Sequence, residues 1–330
     1  MPKTVRFHQL GGPENLRFED LPAREPQHGE VKLRVKAVGL NRAESLYFRG
    51  LYLEKPELPS RLGYEAEGIV MAVGPDVTRA WIGKRVSTIP GFSQNQYGVL
   101  AEEAIVPVSS LGEFPEKFSP VEGAAIWMQY TTAWGALLHV GKLTRADYVI
   151  ISAASSSVGL AAIQIVKDTG ATAIATTRSS IKRDELLALG ADHVIATGEE
   201  DLVARVNQIT FGQGARLIFD PIAGAFVSEL ARAASYHGII IEYGALSLES
   251  THFPFFYALR KGLTMRAYTL REITADPNAL AAAKEYIYNR LSDGRFAPKI
   301  ARTFPFAQAA EAYRYLESNA QVGKVVITVP

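Results

Sequence analysis

YVIISAASSSVGLAAIQIVKDTG, Tyr148 to Gly170, changes its hydrophobic period partway along. Tyr148-Val149-Ile150-Ile151 is a short apolar run of the kind that forms a buried strand. Ser152 to Ser157 is a tight turn of small residues. From Val158 onward, Ala161, Ala162, Ile165 and Val166 recur at helical spacing. Strand, small-residue turn and helix are how a dinucleotide-binding sheet begins. The turn lets backbone N–H groups approach a pyrophosphate, and the helix N-terminus offers it partial positive charge. Against the pattern G-x-G-x-x-G the six positions read Ala154-Ser155-Ser156-Ser157-Val158-Gly159. Gly159, the position for close helix–strand packing, is kept. Ser156 replaces the glycine of closest approach, and its hydroxyl can serve a phosphate oxygen. Taken alone, this is equally the pattern of any buried strand–helix unit. The uncharged run from Tyr148 to Val166 is long enough to cross a membrane, but three consecutive serines and the change of period argue against that.

Downstream, β-type runs at Thr172–Thr176, His193–Ile195, Arg216–Phe219, Gly238–Glu242 and Leu263–Ala267 follow the first. Helical segments near 158–168, 181–189, 200–210 and 225–235 separate the first five. This alternation predicts a six-stranded, doubly wound parallel sheet. Upstream, residues 1 to about 125 read as mostly β. Val31 to Val38 alternates apolar and basic, as a half-exposed strand does. Gly68–Gly74, Gly83–Val86 and Glu102–Val108 are further strands, with a short helix at 42–49. Recurrent Gly and Pro between them suit a barrel-like or sandwich-like β domain. Pro120 to His139 reads as one helix. A helix from Pro277 to Leu291 and a strand Val325–Val329 cannot extend the βα series and are expected to return to the first domain.

The 330 residues suggest two domains, and 48% apolar with 21% charged residues can bury a full core. The charges, 35 basic and 34 acidic, nearly cancel without a basic run, so neither nucleic acid nor an anionic membrane is an expected partner. No cysteine occurs, which excludes disulfides, thiolate nucleophiles and cysteine-bound zinc. The N-terminal sequence lacks the pattern of a signal peptide, so a cytoplasmic location is expected.

The order of a β-rich head, a nucleotide domain and a returning tail resembles the medium-chain dehydrogenase/reductase superfamily, in its zinc-free quinone oxidoreductase (zeta-crystallin-like) branch. The resemblance runs through nearly the whole chain. It rests on Gly11-Gly12-Pro13-Glu14, Gly39-Leu40-Asn41, Gly63-Tyr64-Glu65-Ala66-Glu67-Gly68, Ser157-Val158-Gly159-Leu160, Ala188-Leu189-Gly190-Ala191 and Gly323-Lys324-Val325-Val326, in family order and spacing. It implies an α/β protein with a GroES-like β-rich catalytic domain (1–122 and 271–330) and a doubly wound Rossmann domain (123–270). The zinc-ligand positions of the zinc-dependent relatives fall at Asn41, Tyr64 and Met128, so no metal is expected.

The end of the second sheet strand, Thr176-Thr177-Arg178-Ser179-Ser180, carries no carboxylate for a ribose diol. Arg178, Ser179, Lys182 and Arg183 supply instead the cations and hydroxyls that suit a 2′-phosphate, which points to NADPH. The resemblance likewise places a phosphate-contacting lysine at Lys182. Loops after sheet strands four and five bring Asp220, Tyr243 and Gly244 to the cofactor edge. From the resemblance, Asn41 and Thr132 face the nicotinamide, Lys324 lies by the cofactor, and the cofactor occupies an interdomain cleft. Tyr52 and Tyr64 are cleft candidates, each of which could equally be a packed tyrosine. The expected activity is zinc-independent hydride transfer from NADPH to a small electrophile, a quinone or an α,β-unsaturated carbonyl, by a homodimer. Two rivals stay open: an alcohol dehydrogenase or simple carbonyl reductase on the same scaffold, and a non-catalytic nucleotide-binding protein.

Overall fold

The structure, a computed structural model, describes residues 1–21 and 24–330. In chain order the head contributes β1 (Lys3–Phe7), β2 (Leu16–Asp20), β3 (Glu30–Gly39), β4 (Ser60–Arg61), β5 (Glu65–Val73), β6 (Arg85–Thr88), β7 (Glu103–Pro107) and β8 (Leu111–Gly112). The middle contributes β9 (Tyr148–Ile151), β10 (Thr172–Thr177), β11 (His193–Ala196), β12 (Ala215–Asp220), β13 (Ala234–Glu242) and β14 (Thr264–Ala267). The tail adds β15 (Ile300–Pro305) and β16 (Lys324–Thr328). Two compact units result: Met1–Met128 with Lys284–Pro330, and Gln129–Ala283.

The first unit is β-rich and GroES-like. Its larger sheet runs β15-β16-β3-β5-β6-β8, with β7 also paired to β3. A smaller sheet runs β2-β1-β4. Along β3, Val31, Leu33 and Val35 are buried while Arg34 is exposed, because successive side chains on a strand point to opposite faces. β16 lies antiparallel to β3, with Val326 opposite Gly39, so the tail completes a sheet begun in the head. Phe7 packs edge-on against Tyr47, and Phe48 against Tyr313, at ring distances of 5.8 and 5.3 Å.

The second unit is a parallel sheet in the order β11-β10-β9-β12-β13-β14. Ile174, Ile150, Ile218 and Ile240 face one another in register across β10, β9, β12 and β13. Strands covered on both faces need such continuous apolar runs. From β9 the chain winds outward through β10 and β11, then returns to β12 on the other side, which creates a switch point at the C-terminal ends of β9 and β12.

Two expectations change. The single helix expected over Pro120–His139 is three pieces: Pro120–Gly123, Trp127–Trp134 and a wider π turn over Gly135–Val140. Gly123 ends the first piece, as a poor helix former. Residues 271–283 pack with the second unit rather than the first. Buried Ile273 is the cause, seated with Tyr268 in the space that the missing side chain of Gly135 leaves. Among the described residues no helix is long and apolar enough to cross a membrane.

Candidate active site

At the C-terminal edge of the second unit, β9 ends at Ile151 and the turn passes through Ala153 at φ +46°. Ser156 caps the helix Ser157–Thr169, its Oγ accepting the Gly159 N–H at 3.0 Å. That leaves the first-turn N–H groups of Ser157 and Val158 for an anion. Gly159 has no room for a side chain: a Cβ would sit 2.6 Å from the Ala154 carbonyl oxygen and 2.7 Å from its Cα. Helix and strand therefore approach as closely as the pattern requires.

Beside this turn, β10 delivers Arg178 and Ser179. Lys182 reaches back, its Nζ donating to Ser155 Oγ at 3.2 Å. Burial, and then the nearby Arg178 charge, lower the Lys182 pKa. Arg178 is exposed and has no side-chain acceptor among the described residues. Two cations held close suit a phosphate. Arg183 does not join them, because it turns away to pair with Glu200.

Asp220, at the end of β12, is fully buried, and its Oδ2 accepts the N–H groups of Ile222 and Ala223 at 3.0 and 2.7 Å. It therefore shapes its own turn. Directly opposite in register stands Glu242, which the sequence reading missed. Burial, and then the Asp220 charge, push Glu242 up to about 9. Burial raises Asp220 as well, since two adjacent buried carboxylates cannot both ionise cheaply. The signal was present in the sequence: neighbouring parallel strands each end in an acid. Tyr243 stacks on Phe219 at 3.9 Å, and Gly244 packs against Pro221. Thr132 is buried on the helix Trp127–Trp134.

In the first unit, Asn41 is the N-cap of the helix Arg42–Phe48. Its amide is held on both sides. Nδ2 donates to the Gly39 carbonyl and to Glu44 Oε1, both at 3.1 Å, and Oδ1 accepts from Lys324 Nζ at 2.6 Å. Lys324 also pairs with Glu65 Oε2 at 2.6 Å, and neither side chain of that ion pair has exposed surface. The Met128 N–H donates to Glu65 Oε1 at 3.0 Å. Lys324 thus spends two ammonium hydrogens on Glu65 and Asn41 and fixes the orientation of the amide.

Glu44 receives four donors: the N–H groups of Asn41 (2.8 Å) and Tyr64 (3.2 Å), the Asn41 amide, and the Tyr313 hydroxyl at 3.0 Å. Burial pushes its pKa up while these donors oppose the rise. Tyr64 and Tyr52 meet edge-on at 6.3 Å, and Tyr64 tilts against Phe92 at 5.8 Å. Burial raises both phenols, so each stays protonated and able to donate near neutral pH. The structure therefore gathers Asn41, Tyr52, Tyr64 and Lys324 around one buried network, whose acidic members Glu44 and Glu65 had no assigned role. Among the described residues no group of three or more acidic or histidine side chains could hold a metal ion.

The chain matches the zinc-binding dehydrogenase family over residues 157–285 and the alcohol dehydrogenase GroES-like domain over 27–116. It is 30% identical to a quinone oxidoreductase of Pseudomonas aeruginosa over 330 residues, covering 99% of both chains. It is 27% identical to a phenolphthiocerol/phthiocerol polyketide synthase subunit of Mycobacterium tuberculosis, of whose length it spans 15%. The crystal structure of Escherichia coli quinone oxidoreductase complexed with NADPH superposes with a TM-score of 0.91 at 27% identity, covering 99% of each chain. The chain belongs to the medium-chain dehydrogenase/reductase superfamily, in its quinone oxidoreductase branch.

Proposed function

We propose that the protein is an NADPH-dependent, zinc-independent reductase of quinones or α,β-unsaturated carbonyls. The observation that carries this is the edge formed by Ser155, Ser156, Arg178 and Lys182: a capped helix start beside two adjacent cations, with no carboxylate at the end of β10. The Escherichia coli enzyme with NADPH bound supports the cofactor choice. The bound nicotinamide would supply a hydride. The turn from Ser155 to Gly159 binds and orients the pyrophosphate, and Arg178, Ser179 and Lys182 hold the 2′-phosphate. Asp220 keeps the loop after β12 in place through its turn hydrogen bonds. On the acceptor side, the Asn41 amide is fixed by Lys324 and Glu44. Tyr52 and Tyr64 hold phenolic protons that an oxyanion on the acceptor can draw on.

A cytoplasmic homodimer belongs to the same proposal. β14 is the edge strand of its sheet, and Phe253, Phe255 and Phe256 are 55%, 56% and 82% exposed nearby in sequence, an apolar display suited to a second copy. Light scattering on the purified protein tests it: a dimer mass is expected, and a monomer at micromolar concentration contradicts it.

The function is tested by following nicotinamide oxidation with chelator-treated protein and a benzoquinone, phenanthrenequinone, an enone and a simple aldehyde. Turnover of NADPH with a quinone or the enone is expected. Turnover with the aldehyde alone, or only after zinc is restored, moves the chain to the carbonyl reductase or alcohol dehydrogenase class. NADPH binding without turnover on any acceptor favours a non-catalytic role.

A further inference from the structure

From Leu51 to Pro59 the first unit carries a strap with neither helix nor strand. Exposure alternates along it: Leu51, Leu53 and Lys55 are exposed, whereas Tyr52, Glu54 and Pro56 are half-buried. Tyr52 and Glu54 therefore share the inner side, and Tyr52 packs against the core of the unit. A segment without backbone ladders is held only as well as its side-chain contacts hold it. Here those contacts come from three consecutive residues at the start of the short helix Gln94–Tyr97. Glu54 Oε1 accepts the Ser93 hydroxyl and, at 3.2 Å, Asn95 Nδ2, while Oε2 accepts the Gln94 N–H at 3.2 Å. Asn95 grips the residues that follow: Nδ2 donates to the Lys55 carbonyl at 3.1 Å, and Oδ1 accepts the Glu57 N–H at 2.8 Å. The hydroxyls of Tyr47 and Ser60 also donate to Oδ1, so the amide is itself fixed.

The same residues wall in Tyr64. Gln94 is fully buried, and its Oε1 accepts the Gly63 N–H at 2.8 Å. Phe92, one residue before Ser93, packs on the Tyr64 ring, and Tyr52 meets that ring edge-on. A closed circuit thus runs from Glu54 through Ser93 and Phe92 to Tyr64, and from Tyr64 through Tyr52 back to Glu54. Burial raises both phenols, and the Glu54 charge adds to the rise in each.

We infer that Glu54 is a positioning residue: with Asn95 it holds the strap so that the Tyr52 hydroxyl stays beside Tyr64, available to the acceptor. The inference rests on the donor role proposed for Tyr52. Two readouts separate the strap from the chemistry. Hydrogen exchange of residues 52–58, followed by mass spectrometry on the full chain without cofactor, reports whether the strap is held. It is expected to be at least about tenfold faster in Glu54→Ala and in Asn95→Ala. NADPH turnover with an enone or a quinone reports on Tyr52. Both variants are expected to lose about tenfold to a hundredfold in kcat, the cost of a misplaced group at the reacting centre, with the dissociation constant of NADPH unchanged. In a Tyr52→Phe background neither substitution lowers kcat further. Asn95→Ala keeps the Glu54 charge, so a kcat loss confined to Glu54→Ala marks an electrostatic effect and overturns the positioning role. Unchanged exchange in both variants overturns it, as does the same kcat loss in the Tyr52→Phe background. If circular dichroism shows that Glu54→Ala does not fold, Ser93→Ala, which removes one donor to Glu54, decides by the same measurements. A native protein that turns over no acceptor refutes the reductase reading and leaves the anchoring of Tyr52 to be decided by exchange alone.

Discussion

Lys324→Met removes the cation from a site where nothing can replace it. The ammonium makes two 2.6 Å hydrogen bonds, to Glu65 and Asn41, and neither Lys324 nor Glu65 has exposed side-chain surface. Without it, Glu65 keeps, among the described residues, only the Met128 N–H, at 3.0 Å, for a buried carboxylate. Breaking a buried pair from one side costs about 3–5 kcal/mol. For a unit of this size that corresponds to a melting point lower by roughly 6–20 °C. Replacing both partners, Lys324→Met with Glu65→Met, removes the stranded charge and is expected to recover about half of the loss. The remainder reflects the unpaired Asn41 oxygen and Met128 N–H, at about 1–3 kcal/mol each. Scanning calorimetry and urea titration on the native, two single and one double variants measure the coupling. A loss below about 1 kcal/mol for Lys324→Met, the value of exposed pairs, would refute the claim that this pair is sealed from water.

Glu242→Gln should flatten the pH dependence of stability. The folded state holds the Glu242 proton up to about 9, whereas the unfolded chain releases it near 4.5, so the native protein loses stability as pH rises between those values. The variant should melt higher than the native protein at pH 8 and match it more closely at pH 5; an unchanged slope contradicts the raised Glu242 pKa. Gly159→Ala pushes a methyl group into the Ala154 backbone. Overpacking of this kind costs about 1–3 kcal/mol, and dinucleotide affinity measured by fluorescence titration should fall with it; full retention of both contradicts the close approach. Treatment with a metal chelator should leave quinone or enone turnover intact, and loss restored by zinc contradicts the zinc-independent assignment.

The parallel sheet was legible because its strands are buried on both faces and so carry unbroken apolar runs, as in Ile150-Ile151 and Ile239 to Ile241. The head was harder to read. β1 and β2 mix charges into short strands, and β4 and β8 are two residues each, so their pairing depends on partners distant in sequence. β15 escaped notice for the same reason, with only Phe304 of its six residues buried. At the site, the cofactor-side turn is local in sequence and could be quoted in advance. The network around Asn41 joins residues from four separate segments, 39–44, 64–65, 313 and 324. No local pattern reports such contacts, which is why Glu44 and Glu65 went unassigned and the tie between Lys324 and Asn41 was not foreseen.

The proposed preference for NADPH rests on the edge beside β10, where Arg178 and Lys182 would meet the 2′-phosphate. The direct measurement is the dissociation constants of NADPH and NADH for the native protein, Arg178→Ala and Lys182→Ala. Each lost charge-assisted hydrogen bond is worth about 1.5–3 kcal/mol, so each variant should weaken NADPH roughly tenfold to a hundredfold and leave NADH unchanged. Equal weakening of both nucleotides, or a native protein that prefers NADH, would contradict the assignment.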